Sequence, residues 1–93
     1  MKNEIKDNIN RRFFLAVSEL VNAEKVPSLN AFCLENGLSA PRFRECRLGY
    51  GPGGNPARSR YDFVGVESLY YIALKYRINA DWLLTGRGSM FAK

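Results

Sequence analysis

The chain has 93 residues, of which 46% are hydrophobic and 13% aromatic, and 14 basic against 9 acidic side chains give a formal charge of +5. This is enough for one small domain, residues 1–93, with one modest core, and it is too apolar for a disordered segment. Histidine is absent and there are two cysteines, which removes the commonest general base and the usual zinc sites. The expectation is therefore a non-enzyme with no metal and no cofactor. No stretch reaches the ~18 apolar residues of a membrane helix. Met1-Lys2-Asn3-Glu4 leads into no apolar leader, so the expected location is cytoplasmic.

In chain order, residues 1–7 read as a flexible lead-in, with Ile5 able to extend the next element backward. Residues 8–25 predict an amphipathic helix, because Ile9, Phe13, Ala16, Val17, Leu20 and Val21 recur at three- and four-residue spacing. Pro27 then biases Val26 away from helix. Ser28 is an N-cap for a second helix with Leu29, Phe32 and Cys33 inward, and Asn36-Gly37 is its exit. Ser39 caps a third helix with Pro41 in its first turn, Phe43 and Cys46 on one face, and Gly49 at its end.

Residues 49–63 predict a long Gly/Pro/Arg-rich loop. Gly49, Gly51 and Gly54 spell G-x-G-x-x-G, but after a helix rather than a strand, so no dinucleotide site is expected. Residues 66–76 return to helix, with Val66, Leu69, Tyr70, Ala73 and Tyr76 on the expected inner side and Ile72 and Leu74 as flanks. Asn79 caps a short last helix over residues 80–84, closed by Gly86 and Gly88, after which Met90 and Phe91 fold back. No segment alternates as a strand, so the expected fold is all-α. Both cysteines read as small buried hydrophobes, not as a disulfide or a nucleophile.

Charge is unevenly placed. Residues 39–61 hold Arg42, Arg44, Arg47, Arg58 and Arg60 against Glu45 alone, which is +4 of the chain's +5. Focused arginine charge points to a polyanion, since the planar guanidinium matches phosphate and guanine edges. Two short helices joined by a glycine turn, behind a longer one, form a helix-turn-helix, in which the first braces the second against a major groove.

Residues 28–49 resemble the helix-turn-helix of phage-repressor-like, xenobiotic-response-element-type DNA-binding proteins. The ending ESLYYIALKYRINADWLLTGRGSMF, above all Trp82-Leu83-Leu84-Thr85-Gly86, is similar to that of many such domains. The resemblance implies a five-helix bundle, sequence-specific duplex binding and repressor-like transcriptional regulation, with the helix at 40–48 in the major groove. It places base reading at Ala40, Pro41, Arg44 and Glu45, and backbone contacts at Ser39, Arg42 and Arg47. Arg58 and Arg60 of the loop join the backbone set if the loop contacts the partner. Glu45 has two readings, acceptor from a cytosine amino group or intrahelical partner of Arg42. The expected partner is double-stranded DNA, with no membrane. Many such domains bind as two-fold dimers, and Phe91 and the helix near Tyr71 are the candidate surfaces for a homodimer. The competing reading is a protein-interaction module on the same scaffold, supported by the short side chains at 40 and 41.

Overall fold

The computed structural model describes residues 3–92. They form five α-helices: α1 (Glu4–Asn22), α2 (Leu29–Glu35), α3 (Ala40–Tyr50), α4 (Val66–Tyr76) and α5 (Ala80–Thr85). A 3-10 turn at Pro56–Arg58 interrupts the long connection between α3 and α4. There is no strand among the described residues, only an isolated bridge between Ile78 and Phe91. No helix there is long and apolar enough to cross a membrane.

Polar side chains mark the starts of most helices. Asn3, Ser28, Ser39 and Asn79 each accept a backbone N–H of the first turn that follows, satisfying donors with no intrahelical partner. The cap at Asn3 is a correction, because the lead-in expected to be flexible is helical from Glu4, while Met1 and Lys2 lie outside the described residues. The α2 exit is a Schellman turn. Leu38 N–H bonds to Cys33 C=O and Gly37 N–H to Leu34 C=O, with Gly37 at φ +68, where a Cβ would be penalised.

Four phenylalanines build the centre. Phe13 is fully buried, with ring centroids 5.1 Å from Phe14 and 5.8 Å from both Phe32 and Phe43. α1, α2 and α3 are thereby joined at one point, with edge-on contacts favoured by the ring quadrupoles. One position before Phe13, Arg12 reaches α5, its Nε donating to Leu83 C=O at 2.8 Å and its Nη2 to Leu84 C=O at 3.1 Å. A cation on these last carbonyls answers both the unpaired acceptors and the helix dipole.

The fourth helix is rotated from its expected orientation. Its buried residues are Ser68, Leu69 and Ile72, whereas Val66 and Tyr70, expected inside, are 69% and 59% exposed. The helix is apolar around most of its circumference, so periodicity does not select a face. Ser68 is accommodated on the inner face beside Ile72, since its hydroxyl bonds back to Val64 C=O and Gly65 C=O and is thereby satisfied in the interior.

Candidate nucleic-acid interface

Two polar side chains and two apolar ones fix how α3 is presented. The Ser39 hydroxyl accepts Arg42 N–H at the start of α3, while Phe43 and Cys46 are buried beneath it. Pro41, Arg44, Arg47 and Leu48 consequently lie exposed. Ala40 is half-buried and packs against the core, so of the two short residues at the helix start only Pro41 is open. Arg44 Nη1 donates to Asn30 Oδ1 of α2 at 2.9 Å. Asn30 is a residue that sequence reasoning missed. It is 14 positions away, and only the crossing of α2 over α3 brings it near.

The connection after α3 is a strap rather than an open loop. α3 continues one residue past Gly49, the expected end, to Tyr50. The chain then folds back, with Gly54 N–H on Gly51 C=O and Asn55 N–H on Leu48 C=O. A Cβ on Gly54 would lie 2.8 Å from the backbone C and O of Gly49. The glycine spacing thus serves a backbone-on-backbone approach. Farther on, Asn10, itself fully buried, donates to Asp62 C=O at 2.8 Å and accepts Val64 N–H at 3.0 Å. Lys6 Nζ pairs with Asp62 at 3.0 Å, holding that carboxyl below its ordinary pKa.

This strap carries Arg60 to Glu45. Arg60 Nε and Nη2 donate to the two carboxylate oxygens at 2.9 and 3.0 Å, a bidentate pair that lowers the Glu45 pKa. The intrahelical partner expected for Glu45, Arg42, is engaged elsewhere. Its Nη2 donates to Phe63 C=O at 2.8 Å, and its guanidinium lies 5.3 Å from the Tyr61 ring centroid. The nine candidate residues therefore divide. Arg42 braces the strap, Glu45 and Arg60 hold each other, and Ser39 caps. Arg47 and Arg58 are exposed, and their side chains make no hydrogen bond or ion pair among the described residues. Arg47 borders a groove shared with Ser18, Asn22 and Ser28.

The open side chains of this face, Pro41, Arg44, Arg47 and Leu48, offer positive charge and guanidinium donors. Cys33 and Cys46 are both buried and unpaired, and burial pushes each thiol pKa up to about 11, so both stay protonated near neutrality. No group of acids and cysteines among the described residues could hold a metal ion. Comparison with protein-family models, curated proteins and solved structures returns no match to the chain.

Proposed function

We propose that the chain is a sequence-specific double-stranded DNA-binding protein, a repressor-like transcriptional regulator that inserts α3 in the major groove. The observation that carries this reading is the α2–α3 pair itself. A capped, glycine-turned helix pair presents Arg44 outward, braced by Asn30, and Arg47 of the same helix and Arg58 of the following connection are also exposed. The resemblance at residues 28–49 and 82–86 supports the same reading. Arg44 reads a base, with Pro41 against a thymine methyl. Arg47 and Arg58 hold phosphates, and Ser39 lies where its hydroxyl can join them. Glu45 positions Arg60, and Arg42 keeps the strap on α3.

Fluorescence anisotropy on duplex DNA across a salt series tests this. The log–log affinity slope should be about 0.9 for each phosphate neutralised, and a flat profile removes the mechanism. Arg44→Ala should relax preference at one base position by roughly 1–3 kcal/mol. Equal weakening on every duplex would make Arg44 a phosphate contact instead. The half-buried Ala40 and exposed Leu34 and Leu48 favour the second reading, a protein-binding surface. That reading gains if low-salt duplex binding is absent.

A further inference from the structure

Away from the arginine face the described residues present a broad apolar surface. α4 and α5 border a groove of about 580 Å³ whose walls include Val66, Tyr70 and Leu74 of α4 and Leu84 of α5. These four side chains are 69%, 59%, 61% and 49% exposed. Contiguous apolar exposure of this kind on a small domain marks an interaction surface. None of its residues belongs to α2 or α3.

The charges beside it identify the occupant. Glu67 stands in the first turn of α4 and Lys75 in the last, both exposed and eight residues apart. Tyr71 lies between them, with the Lys75 ammonium 5.0 Å from its ring centroid. Residues 67, 71 and 75 form one flank of the helix, and Val66, Tyr70 and Leu74 the ridge next to it, since positions four apart align along a helix face. In an antiparallel pair of identical helices each flank meets its own copy, reversed. Centred on Tyr70 and Tyr71, this sets Val66 against the second copy's Leu74 and Glu67 against its Lys75. The apolar ridge and the charged flank select the same register to within one residue. A two-fold interface must be self-complementary in this way, and a helix carrying one sign of charge could not satisfy it.

We propose that the partner of this surface is a second copy of the chain, docked through an antiparallel α4–α4 contact centred on Tyr70 and Tyr71, widened by Leu84 and closed at the rim by two Glu67–Lys75 ion pairs. The pairing uses no residue of α2 or α3.

Sedimentation equilibrium on the full chain, from about 1 to 100 μM, tests the pairing without any ligand. A reversible monomer–dimer equilibrium is expected, and a monomer at every concentration overturns the proposal. Leu74→Lys should raise the dimer Kd roughly a hundredfold, because two buried leucines are lost, while leaving the far-ultraviolet circular dichroism unchanged. Glu67→Lys and Lys75→Glu should each raise Kd roughly tenfold by placing like charges opposite one another. The two together should restore it. Each reversal also opposes the α4 dipole, so a purely structural effect would make the double variant the weakest of the three. That result, or association beyond a dimer unaffected by the reversals, overturns the antiparallel register.

Discussion

α3 and α4 are both 11 residues long, and both are seated on the same core, yet they turn opposite chemistries outward. α3 buries Phe43, Cys46 and Tyr50 and exposes Arg44 and Arg47. α4 buries Ser68, Leu69 and Ile72 and exposes Val66, Tyr70 and Leu74. An exposed arginine is well solvated and demands no partner, so the α3 face becomes informative only through its neighbours. Asn30 holds Arg44, and the strap adds Arg58 and Arg60 from a distant part of the chain. An exposed ridge of large apolar groups has a standing hydration cost. The exposed face of α4 is thus distinctive by its chemistry, and that of α3 by the neighbours that hold its side chains.

The largest test of that contrast removes the common seat. Phe13→Ala should lower unfolding free energy by about 3–5 kcal/mol in urea titrations, since the ring touches Phe14, Phe32 and Phe43 together. A loss under about 1 kcal/mol would mean that α2 and α3 are held from elsewhere. Next is Asn10→Ala, expected to cost about 1–3 kcal/mol, because Val64 N–H is left buried without its acceptor. Duplex affinity should fall with it as the strap loosens, whereas Lys6→Ala, which loses an exposed pair, should change stability by less than about 1 kcal/mol.

A sharper comparison substitutes one outward residue on each helix. Arg44→Ala and Tyr70→Ser should each leave monomer stability within about 0.5 kcal/mol, as exposed sites, measured by thermal melts at low concentration. Only the first should alter duplex preference. The smallest effect is acid-dependent. Glu45 and Asp62 both titrate below their ordinary values when folded, through Arg60 and Lys6 respectively. Their contribution is complete above the unfolded carboxylate pKa and is lost as pH falls through the lowered folded values, beneath the ordinary carboxylate range. Arg60→Ala should flatten the part of that loss due to Glu45 in pH-dependent melts.

Much of the α2–α3 pair was legible in the sequence because its signals are local. Ser28, Ser39, Gly37 and Asn79 act within a turn of themselves, and each performs the expected capping or turning role. The inner face of α4 was not legible. Leu, Ile, Val and Tyr surround that helix, and its buried face includes a serine, satisfied by two backbone carbonyls, that no apolar period marks. The candidate interface was half legible. The arginine excess over residues 39–61 was plain, but which guanidiniums are already occupied was not. The partners of Arg42, Arg44 and Arg60 lie 21, 14 and 15 positions away.

The sequence by itself determined where most helices begin and end, and that positive charge gathers in one stretch. Both follow from interactions spanning a few residues. The tertiary structure alone decided which side of α4 meets solvent and which arginines remain available. Those outcomes depend on how α1 and the strap close over distant segments, where burial and long-range hydrogen bonds outweigh local preference.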